Sequence, residues 1–268
     1  GVDRKVGEKV FEYIEPFAGY GFNRSHAACY GLIGYQTAYL KAHFPAPFMA
    51  ALLTSDQDNI DRVAIEVSEC RDMGIEVMAP HVNESFEEFA VIVDPETKKE
   101  RIRFGLNAIK NVGHNVAHEI VEERKKNGKF KSLTDLIERV QTKDLNKKSI
   151  EALAKVGALE GMGERNQIIA SIENIISHSK TFQKNQNSQQ FSLFGASEIA
   201  LPEITLLDCK PATKKQRLAW EKELMGLYIS DHPAREFKEY FSQMGVPIRD
   251  INSSHVGQNI SVGGVISK

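Results

Sequence analysis

Apolar positions recur at helical spacing from the start of the chain. Val6, Val10, Tyr13, Ile14 and Phe17 fall on one helical face, and Gly19-Tyr20-Gly21 then interrupts the pattern. A second helix is predicted to start near Ser25, a good N-cap residue, and to run through Tyr30, Ile33, Thr37 and Leu40 toward His43. Pro45 and Pro47 end it and open a third helix through Met49 and Leu53. Asp56 to Met73 reads as one more amphipathic helix, with Gly74 placed to close it.

The pattern then changes. Glu76 to Pro80 reads as extended, and Phe89 to Val93 and Arg101 to Gly105 flank Asp94-Pro95-Glu96 as a hairpin. Helices return from Leu106 to Ile176, with breaks at Asn111-Val112-Gly113, at Asn127-Gly128 and around Gly157 to Gly163. From 178 to about 213 a flexible linker is predicted, because Ser179 to Gln190 is polar and without period. Helical spacing resumes near Lys214 through Leu218 and Leu224, and a short helix is predicted from Pro233 to Met244. Ile260 to Ile266 reads as one strand whose partners are absent. Together with the missing initiator Met, this suggests a piece of a longer protein. The fold class expected is mainly α with a small β element.

Composition narrows the setting. The 268 residues hold 34 basic and 36 acidic side chains, so nucleic-acid contact would rest on local patches and backbone N–H groups, not on overall charge. No apolar run suggests a membrane span and no signal peptide is visible. Cys29, Cys70 and Cys209 are widely spaced and odd in number, which fits a reducing, cytoplasmic location and offers no metal spacing.

Two kinds of chemistry stand out. Gln190-Phe191-Ser192-Leu193-Phe194 is an apolar island in the polar tract. A mobile peptide with a Gln amide and adjacent large apolar side chains suits docking into a preformed pocket. The other reading is that Leu193 and Phe194 fold back onto their own domain. The second kind is phosphate binding at helix starts. Lys110-Asn111-Val112-Gly113-His114 reads as a tight turn between helices, in which Gly113 permits positive φ and Asn111 tolerates it. N–H groups near Gly113, His114 and Asn115 can hold a phosphate oxygen without reading sequence. A second unit spans Leu145 to Ile176, with its turn at Gly157 to Gly163. Lys125, Lys126, Lys129, Lys131, Lys143, Lys147 and Lys148 supply a local basic excess, although most surface lysines are merely solvated. An ordinary helical corner with a capping Gly accounts for either turn taken alone.

The stretch Gly19-Tyr20-Gly21-Phe22-Asn23-Arg24-Ser25-His26-Ala27 leads into Tyr30, Gln36-Thr37 and Leu40-Lys41-Ala42-His43-Phe44-Pro45. From the residues alone it is a capped helix with aromatic contacts, or a phosphate-binding helix start with Tyr30 and Tyr35 available for stacking. It closely resembles the end of the fingers region in the alpha subunits of bacterial DNA polymerase III, the C-family replicases. The resemblance continues through Phe48 to Leu52, Gly105 to Val112, Leu145 to Lys148, Gly157-Ala158-Leu159, Gly226-Leu227-Tyr228 and His232-Pro233. The pentapeptide at Gln190 to Phe194 resembles the bacterial sliding-clamp-binding motif, and the two turns resemble helix-hairpin-helix units with Asn111 in place of the first glycine.

The resemblance implies an order of parts. Residues 1–80 would end the fingers, 81–177 form a tandem helix-hairpin-helix DNA-binding domain with a small β-hairpin, and 178–213 carry the clamp motif. Residues 214–258 would form a helical connector and 259–268 the start of an OB-fold. Asn23, Arg24, Ser25, His26 and Tyr30 would face the incoming nucleotide and nascent base pair. Lys110, Asn111, Gly113, His114, Lys147, Lys148, Gly161 and Gly163 would grip duplex DNA. Gln190, Phe191, Ser192, Leu193 and Phe194 would bind the sliding clamp, the beta subunit, beside other replisome subunits. The two magnesium ions of such a polymerase lie in a palm for which this chain shows no candidate. Asp56, Asp58 and Asp61 read as capping and solvated residues, so no cofactor and no polymerase activity are expected of these residues alone. Two competitors are a helix-hairpin-helix module of a repair protein and an enzyme built around His26, His43 and His81.

Overall fold

A computed structural model describes residues 1–19, 24–187, 201–231, 233, 237, 239–240 and 245–263. The chain divides into two compact units, Gly1–Phe48 and Met49–Lys268.

The first unit holds α1 (Arg4–Gly19) and α2 (Arg24–His43), and α3 (Pro45–Ser55) begins within it. Helical period predicted all three. Ser25 lies inside the first turn of α2 and not at its cap, a one-residue shift from the expected start. The apolar positions that gave the pattern are largely solvent-facing here: Val6, Val10, Tyr13, Ile14, Tyr30, Ile33 and Leu40 are all exposed.

The second unit carries the core. α4 (Ile60–Asp72) starts four residues later than its amphipathic pattern predicts, because Asn59 caps it by accepting from the Arg62 N–H at 3.2 Å. The preceding turn places Asp56 beside Glu66, which is 5% exposed. Arg62 Nε lies 2.8 Å from Asp56 Oδ2 and 4.0 Å from Glu66 Oε1. Burial, with Asp56 adding to it, pushes the Glu66 carboxyl up to about 7.

A three-stranded sheet follows, in order β1-β3-β2. β2 (Ala90–Val93) and β3 (Glu100–Arg103) form the expected antiparallel hairpin, with Ala90 opposite Arg103 and Val93 opposite Glu100. Asp94 Oδ1 closes the turn by accepting from the N–H groups of Glu96 at 3.0 Å and Thr97 at 2.8 Å. β1 (Val77–Met78) lies parallel on the far side of β3. Ile102 and Phe104 carry the inner face of β3 into the core, where Phe89 meets Phe104 edge-on.

Helices α5 (His114–Asn127), α6 (Leu133–Arg139), α7 (Lys147–Lys155), α8 (Arg165–Ala170) and α9 (Ile172–Asn187) pack beyond the sheet. Their buried stripes include Val116, Ile120, Leu136, Ile137, Ile150, Leu153 and Ile175, each such Leu or Ile stabilising by roughly 1.5–3 kcal/mol. A further helix, α10 (Lys214–Met225), begins at a Thr213 capping box with Gln216 and packs against α7.

The polar stretch after residue 177 departs from the expected linker. α9 continues through it to Asn187. Ile172 and Ile175 anchor the helix, the His178 Nε2 to Glu138 pair at 2.8 Å holds its middle, and Lys and Gln suit a helix even where nothing packs on them. Residues 201–213 are extended yet fixed. The Ile204 N–H donates to Thr134 Oγ1 at 2.9 Å, the Leu207 N–H to Ser171 Oγ at 2.8 Å and the Ala212 N–H to Glu164 Oε1 at 2.7 Å. These residues are a strap on the helical domain, not free tether. Of the helix expected from 233 to 244, Pro233, Phe237, Glu239 and Tyr240 alone are described. The expected strand from Ile260 shows no strand structure as far as Gly263, though the Val246 N–H donates to Ser261 O at 2.9 Å. Its remainder lies outside the described residues.

Candidate nucleic-acid interface

The first turn predicted to bind phosphate sits between a single 3-10 turn (Leu106–Ala108) and α5. Its leading arm is therefore much shorter than the helix expected. The left-handed residue is Asn111, at φ 70°, and not Gly113, which is the extended N-cap of α5 at φ −75° and ψ 154°. Asn takes the left-handed region because its short amide tolerates it. Gly113 then leaves the approach to the helix open, with no heavy atom within 4 Å of where its Cβ would be. No side chain caps α5, and Gly113, His114 and Asn115 are all exposed. Unpaired N–H groups at a helix start, with the positive end of the helix dipole behind them, favour an anion. Lys110 is exposed beside them, its backbone N–H fixed on Leu224 O at 3.0 Å.

The structure brings the start of α7 to this turn. Asn115 Nδ2 donates to Asp144 Oδ2 at 2.7 Å, and Asn146 caps α7 through the N–H groups of Lys148 and Ser149. Lys147 and Lys148 are exposed at that start. Lys147 is partly engaged, since its Nζ lies 2.7 Å from Glu173, which raises the lysine pKa and lowers that of the glutamate. Asp144 is an opposing charge that an approaching phosphate must face.

The second turn, between α7 and α8, has the glycines it was predicted to need but is already occupied. Gly157 is left-handed at φ 80°, and the Arg165 guanidinium occupies the position its Cβ would take. That guanidinium donates to Lys155 O at 2.8 Å and lies 3.6 Å from Glu221, and burial lowers its pKa. Glu164 caps α8 with its own carboxylate, accepting from the N–H groups of Asn166 at 2.7 Å and Gln167 at 3.3 Å. Gly163 lies under the Leu206 side chain of the strap. Of the two glycines singled out here, only Gly161 stays exposed. Sequence reading missed Glu164, although an acidic residue directly ahead of a helix is a capping signal.

The remaining candidates divide simply. On α2, the His26 ring lies tilted against that of Tyr30, which is exposed, with centroids 4.5 Å apart, and Ser25 lies in the same first turn. Arg24 starts that helix, and Asn23 lies outside the described residues, as do Gln190, Phe191, Ser192, Leu193 and Phe194. His81 is structural: Nδ1 accepts from the Asn83 N–H at 3.0 Å and Nε2 lies 3.1 Å from Glu160 O. Both ring nitrogens are thus engaged by the backbone. Among the described residues no helix is long and apolar enough to cross a membrane.

Residues 74–168, the sheet and both turns, match the family described as the helix-hairpin-helix motif. The similarity reaches well beyond that domain. The chain is 40% identical over 98% of its length to DNA polymerase III subunit alpha of Deinococcus radiodurans. It is also 40% identical over 88% of its length to that of Thermus aquaticus, and over 89% to that of Pseudomonas aeruginosa. The chain is a relative of the DNA polymerase III alpha subunits. It spans about a fifth of their length, 19–22%. Alpha-subunit similarity outside residues 74–168 is what a stand-alone hairpin module does not account for. The described residues are mainly helical with one small sheet, as expected.

Proposed function

We propose that this segment serves a replicative DNA polymerase by holding duplex DNA through its phosphates and by tethering the enzyme to its sliding clamp. One observation carries the reading: an exposed, uncapped helix start behind a tight turn, inside a helix-hairpin-helix domain, in a relative of polymerase alpha subunits. N–H groups at Gly113 to Asn115 take one phosphate, and Lys110, Lys147 and Lys148 add charge along the backbone. Such contacts ignore base identity, which is what an enzyme that copies any sequence needs.

The test is duplex binding at several salt concentrations, followed by fluorescence anisotropy. With roughly three phosphates neutralised, log K should fall with log salt at a slope of about −2.7, alike for unrelated duplexes. A flat salt response, or large differences between sequences at fixed salt, overturns the reading.

The finer assignments rest on the sequence. Gln190 to Phe194 would seat on the clamp, turning rebinding into a tethered event. Replacing Leu193 and Phe194 with Ala should cost about 3 kcal/mol or more by calorimetry against the cognate clamp. Asn23, Arg24, Ser25, His26 and Tyr30 would face the incoming nucleotide. In the intact polymerase, Arg24→Ala should raise KM for nucleotide or lower kcat without changing the melting temperature. A lowered melting temperature with normal kinetics would retire that role. The magnesium-binding palm belongs to another part of such a polymerase, which works in the cytoplasm with other replisome subunits.

A further inference from the structure

Glu87, His118 and Glu122 bring one ligand atom each to within 4.8 Å of one another. Two come from one helical face: His118 and Glu122 are four residues apart on α5, one turn along. The third comes from a segment 31 residues earlier, with His118 Nδ1 and Glu87 Oε1 3.0 Å apart. We propose that these three side chains form a surface site for a borderline divalent first-row cation such as Zn²⁺.

The donor set decides the class. An imidazole nitrogen with two carboxylate oxygens suits Zn²⁺, Co²⁺ or Ni²⁺, whereas Mg²⁺ and Ca²⁺ prefer oxygen alone. The supports are rigid. The opposite face of α5 is packed through Val116, Ala117, Ile120 and Val121, so His118 and Glu122 keep their direction. The backbone of Glu87 is pinned, because its carbonyl accepts from the Asn107 N–H at 2.9 Å and backbone atoms of 87–89 lie within 3 Å of where a Gly105 Cβ would be. Metal sites hold their geometry when the ligands sit on such fixed elements. Lys125 Nζ, 2.8 Å from Glu122, is the resident cation the metal must displace from that carboxylate. Three protein ligands leave a tetrahedral ion one open position, for water or another oxygen donor.

The experiment titrates ZnCl₂ into the whole chain by calorimetry and repeats it with His118→Ala and Glu122→Gln. Both residues are exposed, so neither change should disturb folding, and circular dichroism checks this. A single strong site weakened about tenfold or more in each variant, with MgCl₂ binding far more weakly to the unmodified chain, supports the assignment. Zn²⁺ should also raise the melting temperature of the unmodified chain more than that of either variant, because the ion links α5 to the 84–89 segment. Equal Zn²⁺ affinity in all three proteins, or no saturable binding at all, overturns it.

Discussion

The two turns of the helical domain look alike in sequence and differ in what they leave available. Both follow a short helical arm, both use a left-handed residue, and both lead into a helix. At the first, Asn111 makes the bend and Gly113 opens an uncapped, exposed start to α5. At the second, Arg165 fills the space over Gly157, Glu164 supplies the anion to α8, and the strap covers Gly163. One helix start is left without a cap, and the other has a carboxylate on its N–H groups. A repeated motif need not mean a repeated arrangement: one copy leaves its helix start open while its twin is filled from within and holds the fold.

The largest effect expected from this contrast is at Gly157. Gly157→Ala combines a left-handed backbone with a collision against a half-buried guanidinium held by Lys155 O, and should cost about 2–4 kcal/mol in urea denaturation. A loss below about 0.5 kcal/mol would mean that the second turn is loose and the contrast overstated. Glu164→Ala comes next. It removes the α8 cap and the acceptor of the Ala212 N–H, and should cost roughly 1–2 kcal/mol while leaving duplex affinity no weaker. If affinity fell severalfold with stability intact, Glu164 would be part of the interface and not its internal substitute. The smallest change is Lys110→Ala. Stability should hold within about 0.5 kcal/mol, duplex affinity should drop a few-fold, and the salt slope should shrink by about one. An unchanged slope would take Lys110 out of the contact set.

The sequence made the helices and the hairpin legible because their signals are local: apolar period, proline and glycine punctuation, and an Asp-Pro-Glu turn. It did not show which turn was free. That depends on residues 201–213, whose lack of helical period resembles a tether until Thr134, Ser171 and Glu164 are found receiving its N–H groups. The sequence offered both Gly113 and Asn111 for positive φ, and the structure takes the asparagine. Glycine is the usual residue for that conformation, but here the bend falls two positions earlier on an asparagine, and the glycine serves openness instead. The exposed apolar face of α1 and α2 shows the limit from the other side: period marks a helix whether or not its stripe is covered.

The buried Glu66 beside Asp56 makes folding a proton-uptake reaction. In the unfolded chain its carboxyl titrates near 4.5, and in the folded chain near 7. Between those values the folded molecule keeps a proton that the unfolded one releases. The stability this contributes is complete below pH 4.5 and is lost as pH rises through 7, at up to about 1.4 kcal/mol per pH unit. Glu66→Gln, which carries no titrating proton, should flatten that part of the profile of urea midpoint against pH. An unchanged slope would place the proton elsewhere. Acidification from pH 7 toward 5, which leaves paired carboxylates of lowered pKa charged, should at this one position tighten the hold of α4 on the turn before it.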